Sequence, residues 1–202
     1  NVTKIREGNQ AYIANIIKQG HGSVLEHVSV SFAFENVSRV FTHELVRHRA
    51  GFGYSQLSQR YVDESVAEFI EPDCIGDDPE LHEVWRSAVQ HAQEGDIKLG
   101  EGLQAKFADI EEKTLRRKRA RQAARAVLPN ATETKIFVTA NARALRHFIE
   151  LRCNEHAETE IRIVAGQVLE ILRREAPNVF GDYEVAKLQD GTPAARTPTP
   201  KV

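Results

Sequence analysis

The chain has 202 residues, 41% hydrophobic and 28% charged, a make-up that suits one globular domain large enough to bury a real core. Its 27 basic and 29 acidic residues leave a formal net charge of −2, which argues against a strongly basic nucleic-acid binder. No apolar run reaches the roughly 18 residues that a transmembrane helix needs, so no membrane partner is expected. Two cysteines, Cys74 and Cys153, exclude a disulfide framework and a four-cysteine zinc site, and they suit a reducing cytoplasm. No signal peptide is visible; the start at Asn1 and the absence of Met suggest a missing N-terminal piece.

In chain order, Ala11–Gln19 carries Ile13, Ile16 and Ile17 at helical spacing and reads as the end of a helix closed by Gly20. Residues 28–35 alternate strictly, Val28, Val30, Phe32 and Phe34 against Ser29, Ser31, Ala33 and Glu35, which predicts a half-buried strand. Ser38 to Arg49 then reads as a helix capped by Ser38 and broken by Ala50-Gly51-Phe52-Gly53. Residues 54–62 are polar and read as extended or irregular, and Glu71–Pro79 as a loop. A long helix is predicted from Leu81 to about residue 107, with Leu81, Val84, Trp85, Ala88 and Val89 as its apolar face. A very basic helix over Glu112–Val127 follows, ending before Pro129. Lys135–Thr139 reads as a strand; Ala142–Leu151 and Glu155–Glu175 read as helices. The segment 189–202 holds three prolines and no periodicity, so it reads as a flexible tail behind one catalytic domain spanning 1–188.

Three clusters combine His, Arg and small polar residues near element ends, where ligands are usually met: His21–His27, Thr42–Val62 and Asn141–His156. In the second, Arg47, His48 and Arg49 splay by about 100° each on a helix and so do not share one face. Ser55, Gln56, Ser58, Gln59 and Arg60 add hydroxyls, amides and another cation. Arginine forks and hydroxyl donors suit phosphate or uracil-like edges, which present acceptor oxygens in a plane. A zinc-protease reading fails: His43 and His48 stand five apart, about 140° round a helix, so no metal site is expected. Phosphate-loop, dinucleotide and serine-elbow fingerprints are absent. Arg116, Arg117, Lys118, Arg119, Arg121 and Arg125 suggest either a nucleic-acid-binding face or a solvated helix side. Arg125 lies in an apolar stretch, is forced into partial burial, and so wants an anion.

At these residues the chain resembles the flavin-dependent thymidylate synthases (ThyX). Their signature is R-H-R, seven or eight residues, then S-x-R; here it is Arg47-His48-Arg49, eight residues, Ser58-Gln59-Arg60. The resemblance runs from His21 to about Asp190 and includes RRKRARQAARAVLPNATET, NARALRHF, LRCNEHAETEIR and VFGDYE. It implies an α/β (α+β) fold with a central sheet and long flanking helices, not a Rossmann fold. It also implies a cytoplasmic homotetramer with active sites at subunit interfaces. FAD would be the cofactor, with NADPH and methylenetetrahydrofolate as co-substrates and dUMP as the nucleotide methylated at C5. By the same resemblance, His21, Ser23, Arg47, His48, Arg49, Gln56, Asn141, Arg143 and His147 would meet the flavin. Glu44, Arg47, Gln56, Leu57, Ser58, Gln59, Arg60, Arg125 and Arg152 would meet the nucleotide, with Leu57 to Arg60 as a phosphate loop using backbone N–H groups. Arg152 would be catalytic, on the uracil ring. Ser58 lacks a neighbouring base, so it is not expected to act as a nucleophile. The Ala-Gly-Phe-Gly stretch keeps an alternative open, in which UMP is methylated instead of or beside dUMP. The basic stretch keeps a second alternative, a nucleic-acid-binding module.

Overall fold

The computed structural model describes residues 7–58 and 67–200. Helix α1 (Gln10–Lys18) buries Ile16 and Ile17 and ends at Gly20, whose φ of +69° is open to glycine at no steric cost. A 3-10 turn (Gly22–His27) leads into β1 (Ser29–Ser38). Val30, Phe32 and Phe34 are half-buried, in line with the alternation, while Val28 is exposed. The strand runs further than its pattern because Asn36 takes a left-handed φ of +56°, after which Val37 and Ser38 are both buried.

Helix α2 (Arg39–Leu45) is capped as expected, the Ser38 hydroxyl accepting from Phe41 N at 3.1 Å. It stops four residues short of the predicted Arg49. His48 N turns back to Leu45 O, and the Tyr54 hydroxyl donates to the carbonyls of Leu45 and His48. These contacts satisfy the terminal carbonyls without another helical turn. The stretch read as irregular is in part β2 (Phe52–Gln56), where Phe52, Tyr54 and Gln56 turn inward against exposed Gly53 and Ser55. Within the expected loop sits a short helix, α3 (Asp73–Gly76). Next come α4 (Pro79–Lys106), α5 (Lys113–Ala124) with a 3-10 turn over Arg125–Val127, and β3 (Glu133–Asn141). Helix α6 (Ala142–Arg152) precedes α7 (Thr159–Glu175), whose start falls at Thr159 rather than Glu155 because the Glu158 carboxylate caps Ile161 N. The chain closes with α8 (Pro177–Phe180), β4 (Glu184–Lys187) and β5 (Pro193–Arg196). The segment read from sequence as a flexible tail thus carries β5, which pairs antiparallel with β4 from Glu184 opposite Arg196 to Lys187 opposite Pro193.

The strand order is β1-β3-β2 in one sheet and β4-β5 in the other. The chain forms two compact units. The first comprises 1–32, 44–54 and 137–202. In it α6 packs on α7, on the 22–27 turn and on β5, around Leu145, Phe148, Ile149, Ile161, Ala165 and Leu169. The second comprises 33–43 and 55–136. There α4 packs on α5, which buries only Ala120 and Ala124. Of the apolar face expected on α4, only Val89 is buried; Leu81 and Val84 are 50% and 68% exposed.

Candidate functional site

In the first unit, α6 carries most of the expected residues. Asn141 caps it, its Oδ1 accepting from Ala144 N at 2.8 Å. Arg143 and His147, four apart, are both exposed, as the helical period requires of one face. Arg143 donates to Glu26 at 2.6 Å and lies across Gly22, where a Cβ would meet its Nε at 2.7 Å. His21 and Ser23, at the start of the same 3-10 turn, are exposed. The turn and the first half of α6 therefore expose one arginine, Arg143, the imidazoles of His21 and His147 and the Ser23 hydroxyl.

Arg152 closes α6 and is held at three points. Its Nη1 donates to the Glu44 carboxylate at 2.5 Å, its Nη2 to the Glu44 carbonyl at 3.3 Å, and its Nε to His48 Nε2 at 2.9 Å. Glu44 also accepts from Arg47 at 3.4 Å. The residues of R-H-R splay as expected, but on a turn past the helix rather than on the helix itself. Arg47 and Arg49 are exposed, whereas His48 is buried with its ring edge-on to Phe148, centroids 5.3 Å apart, and 5.8 Å from Phe52. Burial first, then the charges of Arg152 and His147, lower the His48 pKa to about 4, against an upward pull from Glu44. Burial pushes the Tyr54 phenol up to about 12, so it stays a donor to the turn.

Gly51 fixes the path from R-H-R to β2. It has φ +76°, its carbonyl accepts from Asn141 N, and a Cβ there would meet Asn141 Nδ2 at 2.6 Å and Ala144 Cβ at 2.8 Å. The Ala-Gly-Phe-Gly stretch is thus seated on the cap of α6.

In the second unit, Gln56 Nε2 donates to Thr42 Oγ1 and Thr134 Oγ1, at 3.2 and 3.4 Å. Leu57 corrects the expectation that its backbone N–H serves a phosphate: that N–H donates to Lys135 O at 2.9 Å, continuing the strand ladder. Its side chain is 45% exposed. Ser58 is half-buried, and Gln59 and Arg60 lie outside the described residues. Arg125 caps the C-terminus of α5 and is half-buried, in keeping with the apolar stretch around it.

Some residues escape sequence reasoning. Arg146, fully buried, donates to both Asp182 oxygens at 2.7 and 2.8 Å and to Val179 O at 2.6 Å. Thr197 and Thr199 hydroxyls complete that network on Asp182. Within the NARALRHF stretch its signal is an arginine between Leu145 and Phe148 on the buried face of α6. Cys153 is buried and its thiol pKa is raised, chiefly by desolvation. His156 is 88% exposed in its side chain, just past α6. Among the described residues no cluster of side chains forms a metal site, and no helix is long and apolar enough to cross a membrane.

In the first unit the arrangement offers a cation, Arg152, held in place beside a neutral imidazole, His48, with Arg47 and Arg49 exposed. Such a set binds anions and planar acceptor edges. Residues 2–178 match the family described as "Thymidylate synthase complementing protein". Over 190 residues, 94% of this chain and 76% of the relative, the chain is 54% identical to a flavin-dependent thymidylate synthase of Mycobacterium avium (strain 104). It is 54% identical to one of Mycolicibacterium gilvum and 53% to one of Mycobacterium tuberculosis (strain ATCC 25177 / H37Ra), with the same coverage.

Proposed function

Because the chain belongs to the thymidylate synthase complementing protein family, that of the flavin-dependent thymidylate synthases, we propose that it makes dTMP from dUMP by reductive methylation of uracil C5. Methylenetetrahydrofolate is the carbon donor in this reading and NADPH the reductant. FAD is the cofactor; when bound it supplies hydride chemistry. The exposed Arg47, Arg49, Arg143 and His147, with Asn141, His21 and Ser23, fit such a group, since a flavin dinucleotide presents a pyrophosphate and acceptor edges.

The observation that carries the reading is the immobilised Arg152. Its guanidinium is 18% exposed in its side chain, enough to meet a ligand, yet its plane is fixed by Glu44 and His48. A donor fixed before reaction stabilises negative charge on the uracil N3/O2 edge without reorganising. That polarises the ring for bond formation at C5 and removes the need for a protein nucleophile. Gln56, Ser58, Gln59, Arg60 and Arg125 hold the nucleotide and its phosphate, with Leu57 supplying side-chain contact. The protein works as a cytoplasmic homotetramer with sites at subunit interfaces. Leu81 and Val84, three residues apart on α4 and 50% and 68% exposed, are the apolar surface that supports self-association.

The test is product mass. Purified protein is given FAD, NADPH, methylenetetrahydrofolate and equal amounts of dUMP and UMP. Methylated dUMP alone is the expected product; methylated UMP overturns the nucleotide assignment, and no methylated nucleotide overturns the reaction.

A further inference from the structure

The central residue of R-H-R differs from its neighbours. Arg47 and Arg49 are exposed, but His48 is 7% exposed and packed between Phe52 and Phe148. Its polar contact is with the Arg152 Nε–H, at 2.9 Å from His48 Nε2. An arginine side chain has only N–H donors and stays charged at any ordinary pH. Nε2 must therefore present its lone pair, and the single ring proton sits on Nδ1. A doubly protonated ring would set N–H against N–H and one cation against another.

We propose that His48 is the positioning residue for Arg152, acting only as the neutral Nδ1–H tautomer. The inference rests on the reading of Arg152 as the uracil-facing cation. Three contacts define a plane: Glu44 carboxylate on Nη1, Glu44 carbonyl on Nη2, His48 on Nε. The choice of imidazole follows from charge. Glu44 already pairs with Arg152, so a second carboxylate at position 48 would neutralise the cation that is meant to face a developing uracil anion. A neutral acceptor orients the guanidinium and leaves its charge available. The groups facing the His48 ring keep it neutral: Arg152 and His147 of α6 disfavour a second proton, as does burial against Phe52 and Phe148, and they outweigh Glu44 of α2. Tyr54 of β2 donates to the His48 carbonyl and fixes the backbone that carries the ring.

The first arm of the test needs no turnover. Nitrogen-15 NMR of histidine-labelled full-length protein at pH 7 should show His48 with Nε2 unprotonated and Nδ1 protonated, a preference lost in Arg152→Ala. A protonated Nε2 in the unsubstituted protein overturns the proposal, whether or not any variant folds. The second arm is kinetic. His48→Leu should lower kcat by about 10- to 100-fold, the range for a lost hydrogen bond to a charged group. Nucleotide KM should change less than threefold and flavin content should stay constant. His48→Gln, which places an amide oxygen near the Nε2 position, should recover most of the loss. A Gln variant no better than Leu, or a loss that tracks flavin release, overturns the proposal. An unsubstituted protein silent toward dUMP and UMP overturns the proposed reaction instead and leaves the NMR arm to decide the role of His48.

Discussion

Substituting Asp182 with Asn tests the buried Arg146 network directly. Arg146 is fully buried, and its two terminal nitrogens meet the Asp182 carboxylate at 2.7 and 2.8 Å. Burial by itself would push the Asp182 carboxyl up, but hydrogen bonds from Arg146 and Thr197 and the Arg146 charge hold it at about 2, against 3.8. That difference corresponds to about 2 kcal/mol in favour of the folded state at neutral pH. The pKa is depressed on folding, so this stability is complete above about pH 4 and is lost as pH falls through 2. Near pH 3 roughly half of it, about 1 kcal/mol, is already gone. Breaking a buried pair by removing one charge costs about 3–5 kcal/mol. Asn keeps one acceptor for the guanidinium, which places the expected loss near the lower end, about 3 kcal/mol. For a chain of this size that is a fall in Tm of roughly 6–12 °C. Urea unfolding at one fixed protein concentration, at pH 7, 4.5 and 3, reads the effect. The gap between the two proteins should be equal at pH 7 and 4.5 and clearly smaller at pH 3. A gap under about 1 kcal/mol at pH 7, or one that does not shrink at pH 3, refutes the assignment of stability to this pair.

Three further outcomes follow from the site. Arg152→Ala should lose about 100-fold or more in turnover while still holding flavin, since a preorganised cationic donor contributes about 3 kcal/mol to a barrier; near-normal turnover would remove Arg152 from the chemistry. Ser58→Ala should still form methylated product, detected by mass, and complete loss with nucleotide binding intact would restore Ser58 as a nucleophile. Gly51→Ala should destabilise by about 1–3 kcal/mol in chemical unfolding, because φ +76° strains a side-chain-bearing residue and the new Cβ meets Asn141 and Ala144. An unchanged midpoint would show that the loop shifts freely.

Much of the α6–α7 region was legible, because apolar residues at helical spacing and helix caps are local signals. The R-H-R to Arg152 relation was legible only as two motifs; their contact spans 104 residues between His48 and Arg152, and no local rule predicts it. Strand β2 was missed for a local reason. Reading Phe52 as part of a glycine-rich breaker split the alternation Phe52, Tyr54, Gln56, which is the strand's inward face. Tyr54 was missed with it, although its hydroxyl ends α2 and sets the turn that carries His48. Leu57 shows the converse: a motif match names the residue, but the ladder bond from its N–H to Lys135 removes the group that the motif was expected to use. Arg146 and Asp182 stand 36 residues apart, in two separate stretches of the family resemblance, and only the fold brings them together.

The closing strand has a bearing on how this chain is handled. Ala195 N donates at 2.7 Å to the carbonyl of Cys153, the residue directly after Arg152, and the hydroxyls of Thr197 and Thr199 reach Asp182 at 2.6 and 2.9 Å. A truncation before Pro193, or a protease nick there, would take a donor from the end of the helix that carries Arg152 and two more from the partner of Arg146. By composition this stretch looks like a dispensable end to trim for expression. By its bonds it is the buttress of the helix that ends in Arg152, and shortening it is an edit to the candidate site.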